Sequence, residues 1–370
     1  MIVRTLHLEH FRNYRALDAA FDPGVNVVIG ENAQGKTNLV EAIRYFSACR
    51  SHRARTDSEL IAFDQPQAAM VLTLESRNRD FRLEATLRRG ARRSLKRNGV
   101  SLKSAAQLSG ILNTVLFCPE DLSLIREGAA VRRRFLDEAI SQLRPRYAEA
   151  IGEYRRLQDH KTRILRDYEP GGAMADTLET YSVQMCRLGA RIVHYRAYYL
   201  EKLREYAPAI HADCSGGREA LGLEYQTVST VTDPLADVQT LYGQLLDHME
   251  GHRRAEWESR SCLSGPHKDD IAVTINGVSA RTYSSQGQTR TAALALKLAE
   301  REISCYDREE YPVLLLDDVL SELDPRRQEF VLNRIGGGQV FITCCEEEKQ
   351  SKLRIGKTLK IVNGELMEEG

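Results

Sequence analysis

The sequence predicts an α/β fold in which one head is assembled from both termini and a mainly α-helical second lobe comes from the middle. Three observations carry that prediction. Gly30, Glu31, Asn32, Ala33, Gln34, Gly35, Lys36 and Thr37 fit the phosphate-loop pattern G-x-x-x-x-G-K-[ST]. Near the other end of the chain, Val313-Leu-Leu-Leu-Asp317-Asp318 is an apolar run ending in paired carboxylates. Between them, apolar residues recur at helical steps over a long stretch. A phosphate loop and its carboxylate partner must meet in one sheet, so both termini contribute to it. The expected divisions are 1–125 and 261–370 for the two parts of the head and 126–260 for the helical lobe. At 370 residues the chain is long enough for about two domains.

In chain order, Ile2-Val3 with Leu6 and Leu8 reads as a strand, a turn falls at Arg12-Asn13-Tyr14, and Val25–Ile29 runs into the glycine loop. Leu39, Val40, Ile43 and Phe46 share a helical face after Lys36, which supplies the strand–loop–helix context a phosphate loop requires. From Met70 to Val100 apolar and charged residues alternate, with Asn98-Gly99 as a hairpin turn. Phe135, Ala139, Leu143, Tyr147, Ile151, Tyr154 and Leu157 predict a helix over 129–168. Pro170-Gly171-Gly172 breaks it, and a second helix over 174–206 completes an antiparallel pair. A helix over 238–256, a strand at Ile271–Ile275 with a turn at Asn276-Gly277, and a helix from Thr289 to Ile303 lead to the carboxylate strand.

The chemistry follows from residue type and place. Gly30 and Gly35 let the backbone wrap a polyphosphate, with amides and the helix N-terminus aimed at its charge. Lys36 reaches the terminal phosphates, and Thr37 and Asp317 are the expected Mg²⁺ partners. Asp318 stands where a carboxylate polarises the attacking water, so Lys36, Asp317 and Asp318 are the candidate catalytic residues. Ser284-Ser285-Gln286-Gly287-Gln288 precedes a helix, and Ser285, Gly287 and Gln288 suit a site for a second nucleotide's phosphate. Alone, that segment is an ordinary helix cap. In this order the three motifs resemble an ABC-type ATPase head, whose active site closes only when two heads meet. Three departures matter. Asp318 stands where many such heads carry glutamate, Thr343-Cys344 where they place a histidine switch, and Glu120 lies near the place of their loop glutamine. All three point to slow turnover.

Other features bound the partners. The 52 basic and 52 acidic residues balance, so an anion-binding surface must be local. Arg88, Arg89, Arg92, Arg93, Lys96 and Arg97 form the densest basic run, a hairpin suited to lie along a phosphate backbone. Smaller clusters lie at Arg50, Arg53 and Arg55 and at Arg132-Arg133-Arg134, where a solvated face is the ordinary explanation. Gly265-Pro266-His267-Lys268-Asp269-Asp270 reads as a turn before a hairpin rather than a metal site, since neighbouring residues on a turn seldom converge on one ion. The eight cysteines are scattered without a C-x-x-C pair, the pattern of reduced thiols. No apolar run reaches the roughly 18 residues that span a bilayer. The N-terminus carries charge too early for a signal peptide, so a cytoplasmic protein without membrane partners is expected. A metabolic kinase has no use for the Ser285 motif, a GTPase would carry N-K-x-D, and the insert is too short for a zinc-hook protein. An ABC-type transporter subunit remains the alternative function, although it needs no long helical insert.

Phe11-Arg-Asn-Tyr14, the phosphate loop, Ser51-His52-Arg53, Phe117-Cys-Pro-Glu-Asp121-Leu122, Arg133-Arg134-x-Leu136-Asp137, Gly265-Pro-His-x-Asp269-Asp270, Ser285-Gln-Gly-Gln288 and Leu315–Asp324 together resemble the bacterial RecF family of recombination mediators, in the family's order along the whole chain. The resemblance implies an SMC-like head with a helical lobe in place of a long coiled coil. It also implies a weak, DNA-stimulated ATPase that uses ATP and Mg²⁺. ATP-dependent homodimers would form on single- and double-stranded DNA at gaps and stalled forks, and slow hydrolysis would release them. RecR and RecO would be the partner mediators, and the task would be loading the recombinase during DNA damage and the SOS response.

Overall fold

A computed structural model describes residues 1–167, 175–345 and 356–367. The chain divides into two compact units, Met1–Leu122 with Ala293–Gly370, and Ser123–Ala292. Pro170-Gly171-Gly172, the expected helix break, lies outside the described residues.

The first unit is built on two sheets. One is parallel, in the order 357–362, 25–29, 340–344, 313–317, 114–117, with the short strand 365–367 added antiparallel at one edge. Its central strands are covered on both faces and largely apolar: Val313–Asp317 and Val340–Cys344 are buried at every position. The other sheet is antiparallel, in the order 14–20, 2–11, 67–76, 79–88, 94–97, 100–101. Here alternate residues are buried, as in Gln67–Ser76, and contribute Met70, Leu72 and Leu74 to the core. The phosphate-loop helix, Lys36–Ala48, brings Leu39, Val40, Ile43 and Phe46 into the same apolar cluster as Leu6, Leu8, Leu315 and Phe341. Because parallel strands end on one edge, Ile29, Cys344 and Asp317 arrive side by side, with Cys344 paired to Ile29 and Thr343 to Asp317.

The second unit holds helices Ala129–Leu143, Pro145–Arg166, Ala175–Ser215 and Val238–Ser259 and a small antiparallel sheet. The single helix expected over 129–168 is two, because Pro145 has no N–H to donate and pushes Arg144 out of the helical region, to φ −130°, ψ 93°. The helix Ala175–Ser215 runs nine residues beyond the expected end at Tyr206 and passes through Pro208.

The domain boundary expected at 260/261 also differs. Residues 261–292 belong to the helical unit, because Asp270–Ile275 pairs antiparallel with Leu221–Gln226, an unanticipated strand. Below that ladder, Arg196 is almost fully buried and donates to Asp137 Oδ1 at 2.9 and 3.0 Å, Asp269 Oδ2 at 2.9 Å and the Pro266 carbonyl at 2.6 Å. Asp269 also accepts from the Thr227 hydroxyl at 2.7 Å and from Tyr225. Arg132 grips Asp270 with both arms at 2.6 and 2.9 Å, and Arg133 donates to the Asp269 carbonyl at 2.6 Å. The expected solvated face at Arg132 and Arg133 is therefore an internal ion-pair network, and the segment 265–270 is its hub. His267 is neutral within it: burial pushes its pKa down to about 4, and its nitrogens face the Tyr154 hydroxyl and the Cys262 carbonyl at 2.7 and 3.0 Å. No helix among the described residues is long and apolar enough to cross a membrane.

Candidate functional site

The phosphate loop is shaped by two glycines that nothing else could replace. Gly30 has φ +156°, and a Cβ there would lie 2.4 Å from the Ile361 carbonyl oxygen. Gly35 has φ +125°, and its Cβ would lie 2.9 Å from the Tyr14 hydroxyl. Closeness of the β-hairpin turn is the point of that contact. Tyr14 donates to the Gly35 carbonyl at 2.8 Å, Asn13 Nδ2 donates to the Gln34 carbonyl at 2.8 Å, and Asn38 Nδ2 donates to Asn13 Oδ1 at 2.8 Å. Arg12 holds the turn to the phosphate-loop helix through both Glu41 oxygens at 2.9 Å, and to the Glu59 carbonyl at 3.0 Å. The Phe11–Tyr14 motif is thus a latch on the loop.

Lys36 is buried, and its ammonium donates to the carbonyls of Gly30 at 2.7 Å and Glu31 at 2.9 Å, with Cys345 Sγ 3.5 Å away. Thr37 donates to Asp317 Oδ1 at 3.0 Å, and Thr343 donates to the same oxygen at 2.8 Å. Burial lifts the Asp317 carboxyl above the ordinary aspartate range, opposed by those two hydroxyls and by the charge of Arg53. Asp318 has left-handed backbone (φ 54°, ψ 11°), and its N–H donates to the Thr343 hydroxyl at 2.8 Å. Both Lys36 and Asp318 line a cavity of about 790 Å³ with Thr37, Asn38, Arg12 and Arg53. Thr37 and Asp317 offer convergent hard oxygens, the donor set that Mg²⁺ takes.

Arg53 was legible as part of a basic cluster and of the Ser51-His52-Arg53 motif, with no site role assigned to it. Its guanidinium donates to Asn38 Oδ1 at 3.2 Å, and Ser51 Oγ accepts from the backbone N–H groups of Arg53 and Ala54 at 2.9 and 2.8 Å. The cluster's Arg53 is thereby turned to the phosphate cavity, and the Ser51-His52-Arg53 triplet was the available signal. Glu120 is exposed on the turn Pro119–Leu122.

The Ser285 motif starts the helix Gln286–Arg308, three residues before the expected start at Thr289, and Ser285, Gly287 and Gln288 lie in the second unit. Ser285 Oγ accepts from the Gln288 N–H at 3.2 Å while Gln288 Oε1 accepts from the Ser285 N–H at 2.9 Å, a reciprocal cap. Gln288 Nε2 donates to Glu219 at 3.0 Å, and Ser285 itself is exposed.

The basic run divides on inspection. Arg89 donates to the carbonyls of Gln65, Ala62 and Phe63 at 3.0, 3.0 and 3.2 Å, tying down the preceding loop. Arg93 pairs with Asp57 and donates to the Tyr45 hydroxyl, both at 3.1 Å. Both thus spend part of their donor capacity on bonds within the chain, and Arg93 is half-buried. Arg88, Arg89, Arg92 and Arg97 are exposed and Lys96 is half-buried; Arg88 and Arg92 each make a longer bond, to Gln67 Oε1 and to the Lys103 carbonyl, both at 3.3 Å.

The sequence pattern of the RecF/RecN/SMC N terminal domain matches residues 2–365. A protein from Agathobacter rectalis named DNA replication and repair protein RecF is 36% identical over 368 residues, covering 99% of each chain. A solved structure described as the recombination mediator protein RecF-ATPrS in the RecFOR pathway superposes with a TM-score of 0.91 at 34% identity, covering 98% of this chain and 97% of its own. A second, described as RecF-ATP in the same pathway, gives 0.89 at 34% identity and covers 100% and 98%. These likenesses do not favour the transporter alternative.

Proposed function

The chain belongs to the RecF family of SMC/ABC-type ATPases, and from that premise we propose that it is an ATP-gated DNA clamp of recombinational repair and replication-fork maintenance. One observation carries the reading: phosphate loop and paired carboxylates are assembled in one unit, while the reciprocally capped, exposed Ser285 belongs to the other. A γ-phosphate on one protomer's loop is completed by Ser285, Gly287 and Gln288 of a second copy. Binding two nucleotides therefore joins two heads, and hydrolysis removes the differential affinity that held them.

Within each site Gly30–Thr37 cradle the phosphates, and Lys36 exchanges its loop carbonyls for phosphate oxygens. Thr37 and Asp317 would hold Mg²⁺, which would supply neutralisation of phosphate charge. Asp318 orients the attacking water. Its short side chain, with no histidine at 343–344, fits slow, DNA-stimulated turnover. Arg88, Arg92, Lys96 and Arg97 are the proposed DNA contacts on this hairpin. RecR- and RecO-type mediators are the expected partners, since the solved relatives carry the RecFOR name. Such a protein works in the cytoplasm, at gaps and at junctions of single- and double-stranded DNA, helping to load the recombinase.

The test is complementation between broken protomers. Ser285→Arg keeps a working phosphate loop, and Lys36→Ala keeps a working Ser285 motif. Neither variant alone should hydrolyse ATP, whereas their mixture should regain activity through hybrid dimers with one intact site. A mixture as inactive as its components would refute the composite site.

A further inference from the structure

Thr343 belongs to the Thr343-Cys344 pair that stands where ABC-type heads are expected to carry a histidine switch, and its hydroxyl touches both catalytic carboxylate residues. It is 1% exposed. It donates to Asp317 Oδ1 at 2.8 Å and accepts from the Asp318 N–H at 2.8 Å. A hydroxyl has one proton and two lone pairs, so these bonds are compatible and together fix its direction. The side chain is already stiff at χ1 because it is β-branched, and the parallel register sets it directly beside Asp317.

Asp318 needs such an anchor. Its left-handed backbone is a conformation that a side chain makes costly, and it persists only where its surroundings hold it. Thr343 holds its N–H, and Ser321 Oγ donates to its carbonyl at 2.6 Å. Its N–H and carbonyl are thus both tied, where Asp318 lines the phosphate cavity.

We propose that Thr343 is a positioning residue for hydrolysis, which couples the Mg²⁺-side carboxylate of Asp317 to the water-orienting Asp318. The proposal rests on the ATPase reading of this site. Thr343 sets the rate of the chemical step and the response to Mg²⁺; its hydroxyl bonds to Asp317 and Asp318 and not to Lys36, so nucleotide affinity at saturating Mg²⁺ is little changed.

The experiment compares Thr343→Val, Thr343→Ser and Thr343→Cys with the unaltered protein. Readouts are the Kd of a fluorescent ATP analogue, kcat, and the Mg²⁺ concentration giving half-maximal rate. Thr114→Val serves as a control, since the buried Thr114 hydroxyl sits 2.7 Å from Ser47 Oγ. Thr343→Val should keep Kd within about twofold, lower kcat by about tenfold to a hundredfold and raise the Mg²⁺ requirement. Thr343→Ser should recover to within about threefold, because it restores the hydroxyl. Should the valine variant not fold, the near-isosteric cysteine variant, a weak donor, should still lose kcat with Kd unchanged. A valine variant with unaltered kcat, or a serine variant as slow as valine, would overturn the inference and leave the ATPase reading standing. Failure of the unaltered protein to bind ATP would overturn both.

Discussion

Replacing Arg196 by methionine should destabilise the helical unit by about 3–5 kcal/mol, the usual cost of removing one partner from a buried ion pair. Methionine keeps most of the volume, so cavity formation contributes little. What is lost is the guanidinium that joins Asp137, Asp269 and the Pro266 carbonyl. Asp137 keeps Arg155 at 2.7 Å, but Asp269, 1% exposed, is left with the hydroxyls of Tyr225 and Thr227 alone. Burial already pushes the Asp269 carboxyl up, and Arg196 is the charge that opposes this. In the variant its pKa rises further. An ionised carboxylate is then penalised in the fold at high pH, while below its folded pKa it protonates and the penalty disappears. The loss should therefore be larger at pH 8 than at pH 5. Urea unfolding followed by fluorescence reports this unit selectively, because the chain's one tryptophan, Trp257, lies in the helix Val238–Ser259. A loss below about 1 kcal/mol, or one equal at both pH values, would mean that the network is not what holds residues 265–270 in place.

Two further predictions concern charge. Because burial depresses the His267 pKa to about 4, against about 6.5 when unfolded, the unfolded chain binds the extra proton between those values. Stability should be full above pH 6.5 and fall towards pH 4 by on the order of 2–3 kcal/mol from this group. His267→Gln, followed by the same fluorescence, should flatten that dependence, and an unchanged slope would reject it. For DNA, Arg92→Glu should weaken duplex binding and reduce its salt dependence, since a proposed phosphate contact would be lost. Arg93→Met should instead cost stability through Asp57 and leave the salt slope unaltered; equal effects on DNA from both would restore the whole run as an interface.

The phosphate loop was readable because its motif is local and its glycines answer to backbone conformation, as Gly30 and Gly35 do at positive φ. Asp317 was readable through the apolar strand that delivers it. Long-range pairing was not. No periodicity announces that Asp270–Ile275 pairs with Leu221–Gln226, and so the domain boundary fell short of residues 261–292. Charge runs were equally mute, because composition does not tell a solvated arginine from one spent on carbonyls, as Arg89 is, or on a carboxylate, as Arg93 is. Thr343 gave a signal only as part of the Thr343-Cys344 pair at the place of a histidine switch; its bonds to Asp317 and Asp318 required the sheet register.

The central claim is that ATP joins two copies through Ser285 and the opposing phosphate loop. Sedimentation velocity of Asp318→Asn, chosen to bind ATP without hydrolysing it, tests it most directly, with and without ATP and Mg²⁺ and with a gapped duplex added. The account predicts a monomer without nucleotide and a dimer with ATP that retains the duplex. A monomer under every condition would contradict it.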